Sequence, residues 1–166
     1  MAQRDFRTLG SQPYARIIVP LDGSALAEQI LPHVRTLAKA FDSRVELVRA
    51  YAPPASLLAA SAASTMPGHG PVLDPAPYVA AQKDEADLYP TQTADRLRKE
   101  GVHCSWRRLD GSAGEKIVAE AASWEADLIL MTTHGRGGLG RLLLGSVTDY
   151  VVRHATIPIL LVRATA

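Results

Sequence analysis

A run of glycines and arginines between two regular apolar segments is the part of this sequence best suited to chemistry. Four glycines and two arginines lie within 135–141, three residues after the apolar stretch Leu128–Met131. Gly145 and Ser146 then precede Val147–His154, whose apolar residues have helical spacing. Glycines let backbone N–H groups approach an anion closely, and a helix N-terminus adds unpaired donors and a favourable dipole. The segment therefore predicts a strand, a turn and a helix start that together bind a phosphate.

Two other phosphate-binding motifs are not supported. The residues at 135–140, GRGGLG, match the dinucleotide pattern G-x-G-x-x-G. They follow the fourth predicted strand, however, and no acidic residue occurs after Asp149 to contact a ribose hydroxyl. The P-loop pattern G-x-x-x-x-G-K-[ST] is absent from the sequence.

Composition argues against several functional classes. The net charge is +1 and the basic residues are scattered, so a nucleic-acid partner is not expected. Cys104 is the single cysteine, and we predict a buried, inert thiol. The histidines lack metal-ligand spacing, so no metal site built by side chains is predicted. With no apolar run of membrane-spanning length, we expect a cytoplasmic protein without a membrane partner.

Five short apolar segments alternate with segments of helical periodicity, which is typical of a parallel α/β sheet. Helices are predicted over about 24–41, 78–100, from 112, and from 146. We expect Ser24 to cap the first helix and Pro32 to bend it, Pro90 to kink or break the second, and Gly101 to end it. Ser112 and Glu115 fit a capping box. The predicted strands are Arg16–Pro20, Arg44–Ala50, Val102–Leu109, Asp127–Thr132 and Ile157–Arg163, the third polar enough for a sheet edge.

The domain organisation follows from length and local composition. A chain of 166 residues fits one domain. Residues 1–15 are polar and predict a flexible N-terminal arm, leaving 16–166 as a single domain. Residues 52–76 are rich in Ala, Ser, Pro and Gly without periodicity, which predicts a mobile insertion or a functional lid.

In a doubly wound sheet, ligands bind at the carboxyl ends of the strands where the winding reverses. If that reversal falls between the first and fourth strands, Asp22 lies beside the turn at 132–140 and Ala50 lies next to both. Pattern alone does not select this topology uniquely. Asp22 and Ser146 each have two interpretations, because either side chain can cap the helix that follows it or belong to a ligand site.

Three segments carry a resemblance to a known family. VPLDGS near the start, MTTHGRGGLGRLLLGSV, and PILLVR near the end resemble the universal stress protein family. The resemblance implies a flavodoxin-like, doubly wound, five-stranded parallel sheet of order 3-2-1-4-5 with helices on both faces. It also implies a homodimer and, for many members, bound ATP. Of the family signature (Gly, two residues, Gly, nine residues, Gly-Ser or Gly-Thr), Gly135 and Gly145-Ser146 are present, whereas Thr132 replaces the first glycine.

The resemblance also implies which residues contact ATP, with Mg²⁺ held through its phosphates. The first strand end resembles the adenine and ribose contacts, Ala50 flanks the base, and the glycine segment with the last helix start resembles the ribose and phosphate contacts. The predicted cofactor-binding residues are Pro20, Leu21, Asp22, Ala50, Met131, Thr132, His134, Gly135, Arg136, Gly138, Gly145, Ser146, Val147 and Thr148.

Three functional hypotheses remain open at this point. The first is a cytoplasmic stress-response dimer that binds ATP, with slow hydrolysis at most, because no catalytic residue is recognisable. The second is a dimeric interaction module of the same fold that does not bind nucleotide, which Thr132 favours. The third is an ATP- or AMP-consuming enzyme of the same broad superfamily. Each dimer would pair through the apolar edge strand Ile157–Val162.

Overall fold

The structure, a computed structural model, describes residues 13–52, 76–134 and 144–164. The strands are β1 (Arg16–Pro20), β2 (Arg44–Tyr51), β3 (His103–Asp110), β4 (Leu128–His134) and β5 (Ile159–Ala164). The helices are α1 (Ala25–Glu28), α2 (Leu31–Phe41), α3 (Ala76–Lys99), α4 (Ala113–Ser123) and α5 (Ser146–His154). The predicted N-terminal arm and the predicted insertion at 52–76 fall almost entirely outside the described residues.

The strands form one parallel sheet in the order β3-β2-β1-β4-β5. β1 pairs with β2 along its whole length, from Arg16 opposite Arg44 to Pro20 opposite Val48. This order confirms the flavodoxin-like sheet, and β3 occupies an edge as its polar pattern predicted. Because the winding reverses between β1 and β4, their carboxyl ends border the position at which such sheets bind ligands.

Alternate residues of β1 enter two separate cores, one on each face of the sheet. Ile17 belongs to a buried cluster with Val34 of α2 and Leu97 of α3. Ile18 belongs to a cluster on the other face that includes Ile117 of α4. All five side chains are at most 3% exposed. Helices therefore cover both faces, and truncating one of these core isoleucines to alanine is expected to cost about 2–5 kcal/mol.

The predicted helix over 24–41 is two helices, so the expected bend at Pro32 is wrong. α1 ends at Glu28 and α2 begins at Leu31. A proline ring clashes with the carbonyl four residues earlier, here that of Glu28, and it lacks the N–H that would bond to it. The two intervening residues instead bond to carbonyls three positions back, at 3.3 and 3.2 Å. Pro32 then lies in the first turn of α2, where a missing amide is tolerated.

Pro90 does not break α3, which runs unbroken through it. Pro90 is buried, and the packing of this face of the helix offsets the missing hydrogen bond. One residue later, the Thr91 hydroxyl donates to the Asp87 carbonyl at 2.7 Å. The predicted end is correct, because Gly101 has a φ of +85° and follows the last turn directly.

Candidate functional site

The carboxyl ends of β1, β2 and β4 and the first turns of α4 and α5 enclose a cavity of about 260 Å³. We call it the β1–β4 crevice. Ten of the predicted site residues line it, namely Pro20, Leu21, Asp22, Ala50, Met131, Thr132, Gly145, Ser146, Val147 and Thr148. Four lining residues were not predicted, namely Ala27, Val48, Ala113 and Ile117.

The loop after β1 presents Asp22 at the crevice. The Leu21 N–H donates to the Val48 carbonyl at 2.9 Å, which holds the chain against β2 for one residue beyond the strand. Asp22 is exposed, and its Oδ1 accepts the Ser24 N–H at 2.8 Å. The Ser24 hydroxyl in turn accepts the Ala27 N–H at 3.1 Å and caps α1 as predicted. Because Ser24 performs the capping, the interpretation of Asp22 as the helix cap is wrong.

The start of α5 supplies backbone donors on the other side of the crevice. Gly145, with φ −57° and ψ 155°, is the N-cap, and no side chain of the described residues caps the helix. Ser146 is therefore the first helical residue, and the interpretation of its hydroxyl as the cap is wrong. The Asp149 N–H bonds to the Gly145 carbonyl at 2.8 Å. Amides earlier in a first helical turn have no acceptor within the helix, so they are suited to receive an anion.

Asp149 brings a negative charge near this helix start, and Arg153 compensates it. Arg153 Nε donates to Asp149 Oδ2 at 2.8 Å, one helical turn further along. This hydrogen bond lowers the pKa of the Asp149 carboxyl. The pair is exposed, so it neutralises charge near the anion position without adding appreciable stability.

An apolar wall lies between the two polar sides of the crevice. Val48, Ile117 and Met131 are at most 5% exposed, and Ala50 is partly buried. Such a wall suits the face of a planar heterocycle. Strand alternation places Val48 on the same face as Ala50, so the sequence could have identified it. Ala113 and Ile117 belong to α4, which the glycine signature does not include.

Part of the predicted site is not described by the structure. Gly135, Arg136 and Gly138 lie outside the described residues, and His134 is the last residue of β4. Their contacts with a ligand remain predictions.

Ser112 is the N-cap of α4, but its hydroxyl makes no capping hydrogen bond, so the predicted capping box is wrong.

A larger and more open depression, of about 800 Å³, lies at the opposite end of the sheet. Its lining includes Arg44 and Arg98 near the amino ends of β2 and β3. In a parallel α/β fold the helices end on this side, so their carbonyl ends carry partial negative charge. Arginine counters part of that charge: Arg16 Nη1 donates at 3.0 Å to the carbonyl of Trp124, which is the C-cap of α4 and lines this depression. This depression is consequently less suited to a phosphate than the β1–β4 crevice is.

Comparison with known proteins identifies the family. The sequence profile of the Universal stress protein family matches residues 13–163, and this chain belongs to that family. A universal stress protein of Methanocaldococcus jannaschii is 30% identical in an alignment covering 93% of this chain and 85% of that protein. One from Synechocystis is 28% identical, covering 90% of this chain and 98% of the relative.

Solved structures share the fold. A hypothetical protein of Methanocaldococcus jannaschii matches with a TM-score of 0.73 at 24% identity, over 93% of this chain and 99% of that one. A universal stress protein in complex with cAMP matches with a TM-score of 0.60 at 23% identity, over 93% of this chain and 100% of that one. A universal stress protein from Archaeoglobus fulgidus in complex with dAMP matches with a TM-score of 0.56 at 20% identity, over 90% of this chain and 98% of that one.

Within the described part of this chain, no helix has the length and apolar character needed to cross a membrane.

Proposed function

We propose that the β1–β4 crevice binds an adenine nucleotide, with ATP the expected ligand and Mg²⁺ held through its phosphates. The protein would act in the cytoplasm as a nucleotide-binding dimer in stress response. The observation that carries the proposal is the combination in one cavity of an apolar wall and a helix N-terminus that no side chain of the described part of the chain caps. The adenine-nucleotide complexes of two structural neighbours support the ligand class.

The geometry suggests how each part of a nucleotide would be held. The base would lie against Val48, Ala50 and Ile117, and Asp22 would accept a hydrogen bond from a ribose hydroxyl. The phosphates would reach the first turn of α5, with the predicted glycine segment at 135–140 completing their contacts. Each part of the ligand then meets groups of matching polarity.

Binding without efficient turnover is the expected behaviour. Among the described lining residues, Asp22 is the one ionisable side chain, and its Oδ1 already accepts the Ser24 amide. A phosphoryl-transfer enzyme needs a group that positions the attacking nucleophile as well as groups that bind phosphate. The hypothesis of an ATP- or AMP-consuming enzyme therefore lacks support, because no general base is recognisable among the described lining residues. Turnover by purified protein that disappears in Asp22→Ala would support it instead.

Calorimetric titration with ATP and Mg²⁺, together with the shift in melting temperature, tests the binding. Ala113→Leu would fill the crevice and should abolish both signals, whereas Ala119→Leu, an exposed site on the same helix, should leave them unchanged. No binding at millimolar ATP by the native protein would refute the ATP assignment.

The role of Asp22 has its own test. Asp22→Ala should weaken ATP binding by about 10- to 100-fold, as expected for losing a hydrogen bond to a charged group. Asp110→Ala is the matched control, because Asp110 ends β3 at the same side of the sheet without lining the crevice. Equal weakening in both variants would mean that Asp22 makes no specific contact with the nucleotide.

The alternative, an interaction module that does not bind nucleotide, rests on Thr132. This residue lines the crevice, half-buried, where the family signature has glycine. Its side chain adds a methyl and a hydroxyl to the surface that a ribose or phosphate would approach. If Thr132→Gly binds ATP and the native chain does not, the module is the correct interpretation.

A further inference from the structure

Glu46 is a buried carboxyl group in the interior of the sheet. It lies on β2 with only 3% of its surface exposed, and its neighbour on β1 is the apolar Ile18. Its Oε2 is buried and, within the described ranges, accepts no hydrogen bond. An ionised carboxylate in this position loses hydration that one partner alone does not replace.

Arg107 of β3 is shared between Glu46 and a second carboxyl group, Glu120 of α4. Arg107 Nε lies 3.4 Å from Glu46 Oε1 and 3.0 Å from Glu120 Oε1. The side chain of Arg107 is 55% exposed, whereas those of Glu46 and Glu120 are 4% and 15% exposed. Two carboxylates thus share one largely exposed cation, and they are close enough for the charge of Glu120 to act on Glu46.

Protonation of one carboxyl group removes the repulsion between the two carboxylates. Burial has the largest effect and raises the pKa of Glu46 above its usual 4.5. Arg107 opposes this rise, whereas Glu120 adds to it. A hydrogen bond between the two carboxyl groups requires a proton on one of them. Because the folded-state pKa is raised, the contribution of Glu46 to stability is complete below about pH 4.5 and is lost as pH rises through the folded-state pKa.

α4 connects this pair to the β1–β4 crevice. Glu120 lies one turn after Ile117, and Ile117 and Ala113 form the α4 wall of the crevice. Ile117 also packs in the same buried cluster as Val48 of β2. A change in how α4 sits on β2 at Glu120 therefore alters the wall against which a ligand packs.

We propose that Glu46 and Glu120 form a proton-dependent latch: a shared proton seats α4 on the sheet and completes the crevice, whereas loss of that proton loosens α4 and weakens ligand binding. This proposal rests on the proposed function for the identity of the ligand. The proton-dependent seating of α4 does not depend on that function. The charged groups that face Glu46 from the elements packed against it are Arg107 and Glu120, among the described residues. By linkage, a ligand that needs the seated helix also raises the affinity of the pair for the proton.

Calorimetric titration with cAMP between pH 5 and pH 8 tests the latch. cAMP is the probe because its phosphodiester does not titrate in this range, unlike a terminal phosphate, whose second proton titrates at about pH 6. Native affinity should fall by about fivefold or more as pH rises, a typical coupling between linked sites. Binding in buffers of different ionisation enthalpy should also show proton uptake.

Glu46→Gln and Glu120→Gln should bind cAMP tightly and independently of pH, because an amide can donate the hydrogen bond that the shared proton provides. Glu115→Gln is the matched control, since Glu115 is an exposed acid on the same helix, and it should retain the native pH profile. A flat native profile, or the same pH dependence in all variants, would overturn the latch.

Amide hydrogen exchange without ligand separates failure of the latch from failure of the nucleotide site. After correction for intrinsic rates, α4 should exchange faster at pH 8 than at pH 5 in native protein, with little change in Glu46→Gln. If no cAMP binds at any pH but this difference is present, the ligand assignment fails and the proton switch stands. Equal exchange in native protein and Glu46→Gln refutes the switch itself.

Discussion

Individual side chains of this protein owe their chemistry to the face of the sheet on which they lie. Cys104 and Ser105 are neighbours on the edge strand β3, yet Cys104 is 8% exposed and Ser105 is exposed to solvent. Burial raises the pKa of the Cys104 thiol to about 12, so the reactive thiolate is scarce at neutral pH. This environment agrees with the inert thiol expected from the sequence.

Cys104 should therefore react slowly with a maleimide or a disulfide reagent in the native protein and rapidly after unfolding in guanidinium. We expect native labelling to be at least about 100-fold slower, since both access and ionisation are reduced. Moving the thiol by one residue, in a Cys104→Ala and Ser105→Cys double variant, should restore fast labelling. Native Cys104 labelling as fast as that of the double variant would contradict the burial of the thiol.

Local sequence rules at the residue scale succeeded where the competing contacts were also local. Ser24 caps α1 through an amide three residues away, and Gly101 ends α3 with a positive φ. Ser112 met the same local rule, but its hydroxyl makes no cap bond. Pro32 divided a helix and Pro90 did not, because the outcome depends on packing around the proline as well as on its ring.

At the scale of elements, α4 and α5 touch through a glycine. A Cβ added at Gly114 would lie 2.7 Å from ring atoms of Tyr150 and 2.8 Å from its Cβ. The Tyr150 ring is also stacked on His154, with ring centroids 4.0 Å apart, and this contact restrains the ring. The close approach of these two helices sets the width of the crevice that their first turns border.

Gly114→Ala should consequently lower the free energy of unfolding by about 1–3 kcal/mol, the usual cost of overpacking. Helix propensity alone predicts the opposite, a gain of up to about 1 kcal/mol. Urea denaturation at neutral pH measures the difference, and a stabilised variant would show that α5 moves aside freely. Because Ala113 and Ser146 line the crevice, the same variant should also weaken ATP binding.

At the scale of the whole molecule, β5 lies at one end of the sheet, and no other described strand pairs with its outer edge. Three large apolar side chains are exposed among the described residues, and two of them, Leu161 at 36% and Val152 at 41%, belong to β5 and to the helix before it. An apolar edge strand favours pairing with another strand, and pairing with a second copy satisfies both edges. The dimer through Ile157–Val162 therefore remains a prediction, and the exposed apolar side chains at this edge give a physical reason for it.

Light scattering at micromolar concentration should give the mass of a dimer, and Leu161→Glu should give a monomer that still folds. A charge placed in an apolar interface loses hydration without gaining a partner. Leu88→Glu is the control, because Leu88 is 59% exposed on α3, away from the β5 edge. A native monomer at this concentration would refute the edge-strand dimer.

The sequence alone was enough to locate the five strands and to identify the family. Hydrophobic periodicity located all five strands, with β1 identical to its predicted range, because a strand buried on both faces needs a continuous apolar run. The order 3-2-1-4-5 came from resemblance, because strand pattern alone is compatible with several right-handed windings. The packing of the folded chain was needed to show that Ala113 and Ile117 wall the crevice and that Glu46 lies close to Glu120. Those contacts join segments far apart in the chain, and no local periodicity encodes which distant side chains a packed helix brings together.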